Sequence, residues 1–143
     1  MNAGMFEFTH VERIVFGQPA AAALIVEAER LNAKRVFIIA SGTMNRTTDE
    51  VTRVRDALGT RFAGLFDSVP SHTPRDTVIE IARQARAAGT DLIVTFGGGS
   101  VTDAGKMLQL CLRHNVTEMN QLDAFRVKVT PDGKRTVPQY DPP

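Results

Sequence analysis

The sequence predicts an α/β fold, a parallel sheet with helices on both faces. Three observations carry this. The run Leu92-Ile93-Val94-Thr95-Phe96 is short, β-branched and uncharged, as a strand covered on both faces should be. It enters a triple glycine, beyond which Met107, Leu108, Cys111 and Leu112 recur at helical spacing. The same alternation of strand-like and helix-like runs fills the chain from Ala20 onward. Parallel neighbours need crossover connections, and crossover helices cover the sheet they span.

Phe6 to Phe16 alternates apolar and polar residues in two short pieces, which predicts an edge strand or hairpin. Ala20 to Leu31 follows as a helix, with Pro19 suited to the first turn and Leu24, Ala28 and Leu31 on one face. Arg35 to Ala40 is the next buried strand, and Ser41 to Arg46 a polar turn after it. Thr47-Thr48-Asp49-Glu50 carries the pattern of a capping box ahead of a helix whose Val51, Val54 and Leu58 line one face up to Gly59. A strand near Phe62 to Phe66 leads to a helix with Val78, Ala82 and Ala85 inward and Arg75, Arg83 and Arg86 toward water; Ala88-Gly89 ends it. After the Leu92–Phe96 strand and its helix, Leu122 to Phe125 reads as a short helix. Pro131-Asp132-Gly133 then turns a small hairpin between Arg126–Val129 and Arg135–Val137. Asp141-Pro142-Pro143 closes the chain as a proline-rich connector.

With 143 residues, 43% of them hydrophobic, the chain buries one ordinary core. A net charge of +1 without a basic run argues against nucleic acid, whose backbone calls for clustered Lys and Arg. The single cysteine forms no internal disulfide, and Cys111 falls on an apolar helix face. No apolar run approaches the roughly 18 residues of a membrane span, and no signal-type stretch opens the chain, so a cytoplasmic location is expected.

The glycine run is the strongest chemical signal. Without Cβ atoms the backbone can approach a ligand closely, and the unpaired N–H groups of the following first helical turn then point at anionic oxygens such as those of a pyrophosphate. Two common phosphate motifs do not fit. A P-loop encloses four residues between its glycine and Gly-Lys, whereas Gly99 and Gly105 enclose five, and Met107 stands where Ser or Thr would hold magnesium. The dinucleotide fingerprint begun at Gly97 and Gly99 has Thr102 in the place of its third glycine. Ser100 with Asp103 three residues on is also what a ligand-free helix start favours, as cap and capping acid. His10, His72 and His114 share no helical face, so no catalytic metal constellation is expected from them.

The pattern Gly97-Gly98-Gly99-Ser100-x-x-Asp103-x-x-Lys106 resembles the signature of the iron-containing (group III) alcohol dehydrogenase family, which includes the maleylacetate reductases and is similar to dehydroquinate synthase. Arg13-Ile14-Val15-Phe16-Gly17 resembles the same family's opening strand, so the similarity runs from about Phe6 to Leu112. Gln18-Pro19 departs from the usual glycine-rich continuation. Gly105 departs from the alanine of the alcohol dehydrogenase branch, and the Gly105-Lys106 pair, with Ser71-His72-Thr73-Pro74 upstream, leans to the maleylacetate reductase branch.

The resemblance implies a Rossmann-like, dehydroquinate-synthase-like N-terminal domain over residues 1–116, with residues 117–143 connecting to a helical domain that carries the family's divalent metal, iron or zinc. It implies that the Gly97, Gly98, Gly99 and Ser100 backbone holds the pyrophosphate of NAD or NADP, with Asp103 toward the nicotinamide. Lys106 is expected to be a solvated helix lysine. Ligands of open parallel sheets sit beyond the carboxyl ends of the strands, so Ser41 is expected at the adenosine half. A carboxylate there would grip the ribose diol and repel a further phosphate; Ser41 does neither, Arg46 offers a cation nearby, and NADP is expected to be tolerated. The implied activity is hydride transfer between nicotinamide and an alcohol, aldehyde or maleylacetate-like substrate, in a homodimer. A dehydroquinate-synthase-like lyase and a non-catalytic nucleotide-binding module remain alternatives, and turnover by these 143 residues alone is not expected.

Overall fold

A computed structural model describes residues 12–138. In chain order the elements are α1 (Ala20–Arg30), β1 (Val36–Ala40), α2 (Gly42–Thr47), α3 (Glu50–Leu58), β2 (Phe62–Phe66), α4 (Arg75–Ala87), β3 (Leu92–Phe96) and α5 (Gly99–Arg113). A 3-10 segment, Met119–Phe125, and the short strands β4 (Lys128–Val129) and β5 (Arg135–Thr136) follow.

The expected α/β architecture is present. The first three strands form a parallel sheet in the order β2-β1-β3, with Val36 opposite both Phe62 and Leu92 and Ala40 opposite Phe96. All five residues of β1 are buried, because β1 has neighbours on both sides and helices on both faces. Alternate side chains of a strand point to opposite faces. Val36, Ile38 and Ala40 accordingly pack with Ala28 of α1 and Val51, Val54 and Leu58 of α3. Phe37 and Ile39 pack with Val78, Ile81, Ala82 and Ala85 of α4 and with Val101, Ala104, Leu108 and Cys111 of α5. The Phe37 ring lies over Gly64 of β2, where an added Cβ would stand 2.8 Å from the ring. Asp91 pins the start of the sheet: its two carboxylate oxygens accept from the Lys34 and Arg35 backbone N–H groups, both at 2.8 Å.

This topology positions the site. The chain leaves β1 through α2 and α3 on one face, and leaves β3 through α5 on the opposite face. The two departing loops therefore part above the carboxyl ends of adjacent strands and open a crevice between them.

Several expectations need correction. Residues 12–16 form no strand: Arg13 pairs with Glu27 of α1 at 3.2 Å, and Ile14 and Phe16 are 81% and 88% exposed, without sheet partners among the described residues. The Phe6–Val11 part of that expectation, with His10, lies outside the described residues, as does the Asp141-Pro142-Pro143 connector. Strand β3 is half-buried rather than fully buried, because among the described strands it pairs only with β1. The polar turn after Ala40 is the helix α2. The Thr47–Glu50 capping box does not form, since Thr47 belongs to the last turn of α2 and its hydroxyl donates to the Thr43 carbonyl at 2.8 Å. A capping box forms instead at Glu118 and Gln121, opening the 3-10 segment. Leu31 stands just past α1 and is 48% exposed. Arg86 turns inward from water, donating to the carbonyls of Cys111 and Val116 at 3.2 Å each. The hairpin is present, with β4 and β5 antiparallel and only two residues long each.

Candidate functional site

The crevice is built where β1 and β3 end. The Ser41 backbone N–H donates to the Phe96 carbonyl at 2.7 Å, which brings the residue after β1 against the turn after β3. Gly97 is needed there on two counts. Its φ of +153° is one that L side chains rarely adopt, and an added Cβ would meet Val101 Cγ2 at 2.9 Å and Ser41 Cβ at 3.1 Å. Gly98 and Gly99 differ: a Cβ on either would meet nothing within 4 Å. These two glycines leave open space above the backbone.

Gly98 is the N-cap of α5, and its carbonyl accepts from the Val101 and Thr102 N–H groups at 3.1 Å each. The Gly99 and Ser100 N–H groups of the first turn have no acceptor among the described residues, at the positive end of a 15-residue dipole with no acidic residue in that turn. Ser100 is the second helical residue, so the expectation that it caps the helix with Asp103 is not met. Its hydroxyl has no hydrogen-bond partner among the described residues. Asp103 faces outward and accepts from Lys106 at 3.1 Å; with both side chains well exposed, this pair adds little stability.

The loop between β2 and α4 completes the site, at a position that the sequence pattern does not mark as a wall of the crevice. His72 and Thr73 take positive φ, 65° and 47°, a genuine outlier for β-branched threonine. The Thr73 hydroxyl donates to the Ser100 carbonyl at 2.9 Å, which latches this loop onto the first turn of α5. Strained backbone that is held by its surroundings clusters at functional sites. The loop's sequence signal is the Ser71-His72-Thr73-Pro74 run, whose resemblance marks a family branch and says nothing of its place in the crevice. His72 now lines a cavity of about 590 Å3 with Ser100, Asp103 and Lys106. A second cavity of about 220 Å3, lined by Ser41, Ser71, Gly98 and Val101, shares Gly99 and Ser100 with the first. The site residues read from the sequence are therefore brought together: Ser41 beside Gly97, then Gly98, Gly99, Ser100 and Asp103 along one crevice.

His114 is the C-cap of α5, away from this crevice, and packs against Phe125. Among the described residues no group of three His, Cys, Asp or Glu side chains is placed to hold a metal ion, and no helix is long and apolar enough to cross a membrane. Burial pushes the Cys111 thiol above its ordinary pKa, as befits a core residue and not a nucleophile.

A parallel sheet with helices on both faces and a glycine turn at its switch point defines an open α/β domain. Comparison with known proteins is more specific. The family model described as iron-containing alcohol dehydrogenase matches residues 11–140. Maleylacetate reductase 1 of Cupriavidus pinatubonensis is 34% identical over 100 residues, covering 70% of this chain and 27% of the reductase. Dehydrogenase FUM7 of Gibberella moniliformis is 36% identical over 113 residues, covering 78% of this chain and 26% of its own length. Among solved structures, the maleylacetate reductase from Agrobacterium tumefaciens superposes with a TM-score of 0.61 at 31% identity, covering 78% of this chain and 31% of that one. The chain belongs to the iron-containing alcohol dehydrogenase family, in its maleylacetate reductase branch. It spans about a quarter to a third of the length of the relatives it matches.

Proposed function

We propose that this chain is the NAD(P)-binding portion of an oxidoreductase that moves a hydride between nicotinamide and an alcohol or carbonyl substrate. The observation that carries the reading is the split among the three glycines. Gly97 is crowded by its neighbours, whereas Gly98 and Gly99 have open space above them at a helix start whose Gly99 and Ser100 N–H groups lack acceptors among the described residues. A dinucleotide fits this cradle: its pyrophosphate would accept from the first-turn N–H groups and the free Ser100 hydroxyl. Ser41 would then lie along the adenosine half, and Asp103, on the far side of the loop, toward the nicotinamide. The cofactor supplies the hydride chemistry; this chain binds it, orients it and keeps one face of the crevice closed with the latched His72–Thr73 loop.

The divalent metal expected of such an enzyme, iron or zinc, would be held by parts of the relatives outside the matched segment. The names of the relatives favour a small-molecule substrate of the maleylacetate type. In this proposal residues 1–116 form the cofactor domain and 117–143 the connection beyond it, the enzyme is cytoplasmic, and it works as a homodimer.

Gly98→Val tests the reading directly. The position has φ of −87° and room for a side chain, so valine should fold normally while filling the space a phosphate needs. Isothermal titration should show nucleotide affinity falling by on the order of tenfold or more, with unchanged circular dichroism. Unaltered affinity in a folded variant would remove the proposal.

A further inference from the structure

We infer that Thr73 is a positioning residue of the nucleotide cradle: its hydroxyl, carried on a strained loop, clamps the first turn of α5 so that the Gly99 and Ser100 N–H groups are fixed before a ligand arrives. The inference rests on the proposed cofactor reading and adds to it how the cradle is kept in its binding shape.

Thr73 holds a conformation that its chemistry disfavours twice over. It is β-branched with φ of 47°, and it precedes Pro74, whose ring pushes the residue before it toward extended backbone. Such a residue keeps its conformation only where its surroundings over-determine it. Here the loop is bracketed by two prolines: the Thr73 N–H donates to the Pro70 carbonyl at 3.3 Å, and Pro74 is the N-cap of α4 with φ of −59°. The remaining tie is the bond from the Thr73 hydroxyl to the Ser100 carbonyl at 2.9 Å, the one hydrogen bond among the described residues between 67–74 and α5.

That tie falls where the cradle most needs one. Gly97 is fixed by the crowding of Val101 and Ser41, whereas a Cβ on Gly98 or Gly99 would meet nothing within 4 Å, so no side-chain packing holds these two residues. Adjacent glycines are the most mobile backbone available. Ser100 comes next in the chain, and holding its carbonyl steadies the residue whose own N–H and hydroxyl face the ligand. The same loop walls both cavities that share Gly99 and Ser100, through His72 and Thr73 in one and Val69 and Ser71 in the other. Donors already in place bind an anion without the cost of ordering them.

The test is titration calorimetry of NADP into the chain and into Thr73→Val, Thr73→Ser and Thr73→Gly, each checked for fold by circular dichroism. Thr73→Val keeps the shape and removes the donor, and should weaken binding about fivefold; Thr73→Ser keeps the donor and should stay within about twofold of the parent. Thr73→Gly separates the clamp from the strain. Glycine takes positive φ freely, so this variant relieves the strain without restoring the donor, and should lose as much affinity as Thr73→Val. Backbone order parameters of Gly99, Ser100 and Val101, from nuclear magnetic relaxation of the nucleotide-free chain, should fall in both hydroxyl-free variants. Parental affinity in Thr73→Val or Thr73→Gly overturns the inference, as does an equal loss in Thr73→Ser or a first turn that stays as ordered as the parent's without the hydroxyl. Failure of the underlying reading looks different: there Gly98→Val leaves NADP affinity intact, or the chain itself binds no nucleotide, which sinks both proposals.

Discussion

At the scale of single residues, the three consecutive glycines illustrate what a sequence can and cannot say. Their presence between a strand-like and a helix-like run marks a close backbone approach, and that much was legible. Which glycine serves the fold and which leaves room for a ligand depends on Val101 and Ser41, neighbours that only the packed chain brings within 3.1 Å of where a Cβ on Gly97 would stand. Gly105 carries a similar lesson. A Cβ there would stand 2.6 Å from Thr95 Cγ2 on β3, so the glycine lets α5 lie close on the sheet. Gly105→Ala should gain helix propensity yet lose stability overall, by about 1–2 kcal/mol in urea unfolding, because threonine is stiff at χ1 and the overlap must be relieved by moving the helix. Adding Thr95→Ser, which deletes the crowding methyl, should return most of that loss; no recovery would place the strain elsewhere. Glu80 gives a pH prediction. Two hydrogen bonds from Arg83 and one from Gln84 hold its carboxyl at about 2, below its ordinary 4.5. A depressed carboxylate contributes stability that is present above about 4.5 and is lost as pH falls toward about 2. Unfolding curves of Glu80→Gln should therefore show a shallower fall across that acid range than the parent chain, by a small margin, since the group is exposed. Parallel acid limbs would contradict it.

At the scale of elements, hydrophobic periodicity placed α1, α3, α4, α5 and the three parallel strands, because each buries a stripe or a run that the sequence displays. The misplaced pieces are those whose partners are distant in sequence. Thr47 and Glu50 have the spacing of a capping box, but the bond from Asn45 to Asp67 draws the preceding residues into α2, and Thr47 then bonds back within that helix. Arg86 has the look of a solvated helix residue, yet α4 lies against the C-terminal end of α5, and the guanidinium donates to the Val116 carbonyl and to the Cys111 carbonyl, which also accepts from the Val116 N–H. Arg86→Met keeps the bulk of the stem and removes both bonds. It should cost about 1.5–3 kcal/mol, measured by denaturant unfolding. A variant as stable as the parent would mean that water caps α5 equally well. The latch from Thr73 to Ser100 was similarly invisible, since its two residues are separated by the whole of α4 and β3.

At the scale of the whole molecule, the switch between β1 and β3 explains why Ser41 and the glycine turn, more than fifty residues apart, share one crevice. The order of strands cannot be read from their runs alone, but the alternation with helices limits it to arrangements that end in such a crevice. The surface bears on assembly. Ile14, Phe16 and Val26 are exposed on or before α1, and the proposed homodimer offers a way to cover them. Light scattering is expected to give about twice the 15.6 kDa chain mass; a monodisperse monomer would show that this surface stays in water. The most direct measurement is a nuclear magnetic resonance titration with NADP, following backbone amides. The proposal expects the largest shifts at Gly97, Gly98, Gly99 and Ser100, with a further shift at Ser41, and little change at the far end of the sheet around Lys34 and Asp91. Shifts confined to that far end, or a spectrum unmoved at saturating nucleotide, would contradict it.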